Sequence, residues 1–258
     1  MSQHPSTDSS AFDAQARAER IIDSRWRAEF SPDVQGFGGV HGGYVVALGL
    51  RTMEAVVDDP QRPARSLTFH LLAPIRPGAV EILPKLNRVG NSLTSASIHI
   101  ERGESMVAAG LAHFGKRHPG VERLEARAPE VPPPEDCAPI GYPVVEEATA
   151  GLLVEHRPAG PQLPLTGSKE ARIRVWMRLL DDRPVDARSA AMLADAAPPA
   201  LYATLVEPVA IPSVEIAIHF GDPAAMNDTT WVLGIFERRT PATVTASRTD
   251  SSFPAVAG

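Results

Sequence analysis

Residues 36–75 read GFGGVHGGYVVALGLRTMEAVVDDPQRPARSLTFHLLAPI, and the fold is decided by how this stretch is parsed. A glycine-rich turn runs directly into an apolar segment, 43–57, which Asp58-Asp59-Pro60 brings to an end. The segment has the length and start and stop signals of a helix. It is apolar on all sides, so it must be buried. About ten residues further on, 65–72 (RSLTFHLL) has the composition of a strand. A helix start lined by glycine presents free backbone N–H groups, which suit an anion or a polarised carbonyl.

Working outward, three further strands are expected at 79–89 (AVEILPKLNRV), 93–101 (LTSASIHIE) and 105–114 (SMVAAGLAHF). The proline inside the first implies an edge position or a bulge. Arg102-Gly103 supplies the turn between the other two. The first half is therefore a helix followed by an antiparallel meander. Upstream, 25–30 (RWRAEF) reads as a first strand, 11–22 as a short amphipathic stretch, and 1–10 as disordered.

Residues 119–164 are rich in proline and acid, with PEVPPPEDCAP at their centre. Such a segment holds neither a continuous helix nor a central strand and reads as a linker. Beyond it come a strand at 171–179 (ARIRVWMRL), a helical stretch at 185–205 interrupted by Pro198-Pro199, and strands at 213–220 (SVEIAIHF) and 231–238 (WVLGIFER). The halves follow one plan: SLTFHL at 66–71 follows the first helix, and SVEIAI at 213–218 follows the second. The expected division is an N-terminal repeat at 1–118, a linker at 119–168 and a C-terminal repeat at 169–258.

Composition narrows the function classes. The chain has 258 residues, 43% hydrophobic and 22% charged, as globular proteins do. A net charge of -6 gives no footprint for nucleic acid or an anionic membrane. No run of 18 apolar residues and no N-terminal signal core occur, so a cytoplasmic protein with no membrane span is expected. The single cysteine, Cys137, allows no internal disulfide and no cysteine-based metal cluster. His70, His99, His113 and His219 show no metal spacing, so neither metal nor cofactor is expected. No G-x-S-x-G elbow occurs, which argues against an α/β-hydrolase.

Asp195, in MLADAA at 192–197, is the first candidate for chemistry. Burial and the end of a helix both disfavour its charge, which is what makes a carboxylate basic enough to take a proton from water. An exposed Asp, or one that caps the turn at Pro198-Pro199, is the competing reading. Ser213, at a strand start, is the second candidate. His41, Gly42 and Gly43 are the third, either as a backbone cradle for a ligand or as glycines that let the helix pack closely. Asn91-Ser92 reads as a structural turn.

HGGYVVALGL, SLTFHLLAPIRPG and RVGNSLTSASIHIERGESMVAAGLAHF resemble the N-terminal half of acyl-CoA thioesterase II (TesB-like) proteins. AAMLADAAPPALY and PSVEIAIHF resemble their C-terminal half. The resemblance spans roughly residues 20–238 in order and spacing. It implies an α+β double hotdog, two repeats that each wrap a curved antiparallel sheet around a long helix. It also implies an acyl-CoA substrate, no cofactor and a homo-oligomer. Asp195 would orient and activate the attacking water, Ser213 would bond that water or the carboxylate, and His41-Gly42-Gly43 would lie near the thioester, where an oxyanion contact is possible.

The sequence departs from the family at its end. A catalytic glutamine on the last strand of the second repeat is missing, and TPATVTASRTDSSFPAVAG at 240–258 lacks alternation. An incomplete second repeat and impaired activity are expected. Reading one base earlier near Thr240, permitted codons can give HAGDGYCVEDGQLFSRGG, which resembles the missing hairpin; the coding DNA decides this. A non-catalytic acyl-CoA-binding or assembly protein of the same fold is the alternative reading. Hotdog hydratases, which resemble one another in an Asp with a His five positions on, rank last, since no histidine here has that partner.

Overall fold

The computed structural model describes residues 10–22, 24–117, 127–141, 149–221, 226 and 229–238. The chain begins with a short helix α1 (Ala11–Gln15), then strands β1 (Glu19–Ile22) and β2 (Arg25–Phe30). Residues 11–22, read as one amphipathic stretch, thus divide into a helix and a strand. Ser10 caps α1, and β1 continues by pairing with β2. A two-residue ladder, β3 (Gln35–Gly36) and β4 (Gly39–Val40), leads into the central helix α2 (Gly42–Val57).

The expected meander follows as β5 (Ala64–Leu71), β6 (Gly78–Val89), β7 (Leu93–Arg102) and β8 (Ser105–Gly115). Gly103, at a φ of 62°, makes the tight turn between β7 and β8, where a side chain would be strained. Alternation sets which face is buried. Leu67 and Phe69 of β5, Val80 and Ile82 of β6, and Ala96, Ile98 and Ile100 of β7 are all buried, as are Leu48, Leu50 and Met53 of α2. The helix therefore lies in the hollow of the sheet, buried from Gly42 to Leu50, while its last turns, expected to be apolar on all sides, carry the partly exposed Arg51 and Glu54 and the exposed Ala55. Pro84 falls on β6 beyond Ile82, the last residue paired to β2, so its missing N–H meets an open flank. The register of β6 against β7 slips between Leu86 and Arg88.

The described part of the proline-rich stretch carries a strand, β9 (Val154–Pro158), at the edge of a three-stranded sheet. Proline tolerates that edge position, so reading this stretch only as linker missed it. Next come β10 (Arg172–Leu179), α3 (Ala187–Leu193), β11 (Glu215–His219) and β12 (Val232–Glu237). The second helix is far shorter than 185–205. Asp186 and Ser189 form a capping box at its start. Pro198 and Pro199 bar its continuation, since a residue before proline leaves the helical region. A separate 3-10 turn, Ala200–Thr204, follows.

Besides the β3-β4 ladder, two larger sheets result, ordered β1-β2-β6-β7-β8-β5-β11 and β12-β10-β9. The equivalent strands of the halves pair with each other: Ala217 of β11 opposes Thr68 of β5, with Glu215 opposite His70 and His219 opposite Ser66. Two helices wrapped by antiparallel strands and joined at that seam make the double hotdog. In the first repeat β7 and β8 stand between β6 and β5. Among the described residues no strand fills the corresponding positions between β12 and β11. The atypical tail lies outside the described residues.

Candidate active site

α2 starts where it does because the residues just before it are held from outside. The Val40 amide donates to the Ile75 carbonyl at 2.6 Å and the His41 amide to the Val34 carbonyl at 2.9 Å. His41 is the N-cap, its Nδ1 accepting from the Gly43 amide at 3.1 Å. A ring nitrogen that accepts is unprotonated. Burial lowers the pKa of His41, against the opposing pull of Asp195, and so keeps the ring neutral.

Asp195 reaches the same helix start from the other repeat. Its amide donates to the Met192 carbonyl at 3.1 Å, continuing the last turn of α3. Its Oδ2 accepts from the Gly43 amide at 3.0 Å and lies 3.8 Å from His41 Nδ1. Its Oδ1 accepts from the Ser213 hydroxyl at 2.8 Å. The carboxylate is 17% exposed, neither buried nor freely solvated. Sequence reasoning set it against the negative end of α3 alone. The fold also sets it against the positive end of α2, a 16-residue helix whose first N–H groups have no helical partner.

The glycines explain how the parts come so close. A Cβ on Gly42 would stand 2.7 Å from Asp195 Oδ2 and 2.9 Å from Leu71 Cδ1. A Cβ on Gly43 would stand 2.5 Å from the Met192 carbonyl oxygen. Both expected roles are therefore combined: the glycines admit a close neighbour, and that neighbour is chiefly α3 with its carboxylate. The Gly43 amide, once a candidate oxyanion donor, is shared by Asp195 Oδ2 and His41 Nδ1. The Gly42 amide has no hydrogen-bond partner among the described residues. Leu71 and Ile216 bring apolar walls to Gly42. Ser213 lies two residues before β11, exposed, and not within the strand.

All five residues singled out from sequence thus meet at one point. Sequence reasoning passed over His156 of β9, which lies beside this turn, buried, with Nε2 3.1 Å from the Ala196 carbonyl oxygen. It lay in a stretch read as linker and carried no motif. Asn91-Ser92 sits at the β7 start, where Asn91 and Gly90 offer carbonyls to Arg62, a structural turn as expected. Among the described residues no three His, Cys, Asp or Glu side chains cluster as metal ligands. No described helix is long and apolar enough to cross a membrane.

Comparison with known proteins bears on the fold and the family. A hotdog-fold protein of unknown function from Alicyclobacillus acidocaldarius superposes with a TM-score of 0.83 at 23% identity, covering 91% of this chain and 88% of that one. A putative thioesterase from Novosphingobium aromaticivorans gives a TM-score of 0.71 at 24% identity, with 88% and 87% covered. The acyl-CoA thioesterase II TesB2 from Mycobacterium marinum gives 0.65 at 19% identity, with 87% and 84% covered. These likenesses show the fold. No curated protein matches the sequence. Family models described as the acyl-CoA thioesterase N-terminal domain and C-terminal domain match residues 30–115 and 126–250. The chain belongs to the TesB-like acyl-CoA thioesterase family of thioester hydrolases.

Proposed function

We propose that the protein hydrolyses acyl-CoA to free CoA and a carboxylic acid, with Asp195 as general base toward water. The observation that carries this is the Asp195 carboxylate held between the Gly43 amide and the Ser213 hydroxyl. Each donor uses one lone pair of one oxygen, so each oxygen keeps another for a water. Ser213 is exposed, and water reaches the pair from its side. Asp195 takes a proton as the water oxygen attacks the thioester carbonyl. The resulting oxyanion would face the Gly42 amide, at the positive end of α2. Collapse expels the CoA thiolate, which takes the proton back from Asp195. No covalent intermediate on the protein is required. Leu71 and Ile216 would guide the acyl chain.

Asp195→Asn keeps the shape and loses the base, so kcat for thiol release should fall about 10²–10⁴-fold with the fold intact. An unchanged rate would remove Asp195 from the mechanism. The second reading, acyl-CoA binding without turnover, draws on one observation: among the described residues no glutamine bonds Asp195 or Ser213. A panel of acyl-CoAs assayed for both binding and thiol release separates the two. A cytoplasmic enzyme that forms a homo-oligomer completes the proposal, with sedimentation as the check on assembly.

A further inference from the structure

The position of Asp195 depends on a turn beyond the end of α3, where helix carbonyls lack partners. From the helix side, Asp195 and Ala196 donate their amides to Met192 and Leu193, each at 3.1 Å. From the opposite side stands His156. Strand β9 pairs with β10 so that His156 opposes Met177, and its alternation turns Val154 and His156 inward. The ring is 2% exposed. Nε2 is 3.1 Å from the Ala196 carbonyl oxygen, and Nδ1 is 3.1 Å from the Val154 carbonyl oxygen. Burial lowers the pKa of this imidazole, against the opposing pull of the Ala196 and Val154 carbonyls. A neutral ring has one N–H for these two carbonyls. The Val154 contact lies within one strand, two residues away, whereas the Ala196 contact spans 40 residues to reach the neighbour of Asp195.

We infer that His156 is a positioning residue: its Nε2–H holds the Ala196 carbonyl and thereby keeps the Asp195 carboxylate between Gly43 and Ser213. This rests on the proposed role of Asp195 in hydrolysis. It gives the proline-rich stretch a part in the reaction, since that stretch delivers the imidazole. His156 touches no reacting atom; it prevents the α3 turn from drifting.

Two substitutions separate the two ring nitrogens. The amide nitrogen of Gln reaches the place of Nε2, and that of Asn the place of Nδ1. His156→Gln should retain kcat within about threefold, while His156→Asn and His156→Leu should lose on the order of 100-fold, the effect of about 1 Å of misplacement. KM for acyl-CoA should stay within about threefold in all three, because no substrate contact is removed. Crystal structures should keep Asp195 Oδ2 near 3.0 Å from the Gly43 amide in the Gln variant and show that contact broken in the other two. Equal kcat in the Gln and Asn variants, or an unmoved Asp195 in the Leu variant, would overturn the inference. If even the unsubstituted protein releases no thiol, the hydrolytic proposal fails alone, and the Leu structure still decides the positioning role. Should the variants not fold, ¹⁵N spectra of the unsubstituted protein decide it: a proton on Nε2 is expected, and a proton on Nδ1 refutes the assignment.

Discussion

Gly43→Ala tests whether the approach of the two helices sets the chemistry. The new Cβ would lie 2.5 Å from the Met192 carbonyl oxygen and 3.0 Å from Met192 Cα, against an ordinary contact of 3.4 Å or more. Both obstacles are backbone, so no side chain can rotate away. α2 and α3 must separate by roughly 0.9 Å, the shortfall at the carbonyl oxygen. That oxygen accepts the Asp195 amide at 3.1 Å, so the shift passes straight to the carboxylate. Misplacement on this scale costs about 100-fold in rate. Overpacking costs about 1–3 kcal/mol, and replacing a helical glycine by alanine returns up to about 1 kcal/mol. Thiol release should therefore drop about 100-fold in kcat, while urea unfolding shows a loss of no more than about 2 kcal/mol. Gly49→Ala is the control. Its Cβ would strike the Phe69 ring at 2.1 Å, inside the core and away from Asp195, so stability should fall more than activity. A Gly43→Ala enzyme with unaltered kcat would refute the claim that the α2–α3 contact positions Asp195.

Ser213→Ala removes one hydrogen bond to a charged oxygen, worth about 1.5–3 kcal/mol, so kcat should fall roughly 10- to 100-fold with KM unchanged; an unaltered rate assigns Ser213 no part. His41 and His156 both have pKa values lowered from 6.5 by burial, so the unfolded chain takes up protons first as pH drops. Stability contributed by these neutral rings is complete above pH 6.5 and is lost as pH falls below it; urea midpoints from pH 8 to 5 measure this, and His156→Gln should lessen the decline. Asp13 of α1 is 1% exposed and lies 3.5–3.8 Å from Arg51, Arg183 and Arg188, tying the N-terminus to both helices. Asp13→Ala removes the buried carboxylate these guanidiniums share, with Asp186 left beside Arg183 and Arg188, and should cost up to about 3 kcal/mol; an unshifted unfolding midpoint would make the cluster energetically idle.

The central helix and the meander were legible because each depends on local pattern. Residues 43–57 are mostly apolar and bounded by glycines and Asp58-Asp59-Pro60, and the structure gives Gly42–Val57. The strands at 79–89, 93–101 and 105–114 alternate at period two and were found within a residue or two. β9 was invisible because five residues ending in proline, amid prolines and acids, show no hydrophobic period, and only pairing with β10 makes them a strand. α3 was overextended because its apolar run continues past Leu193, where the chain turns to bring Asp195 outward. A short stretch of sequence records which face an element buries, but not which distant element it meets.

By itself, the sequence determined a buried helix opened by glycines, an antiparallel meander, a second unit of the same plan, and Asp195, Ser213, His41, Gly42 and Gly43 as the residues to watch. Periodicity and residue type are enough for that, because side chains separated by two or four positions share a face whatever lies opposite. The tertiary structure decided what those residues do to one another. It set β5 against β11, brought the start of α2 to the end of α3, and turned the Gly43 amide from a free donor into a partner of Asp195. It also drew His156 from a proline-rich stretch to the turn that carries the carboxylate. Those contacts span 40 to 152 residues, and no local pattern encodes a distance of that kind.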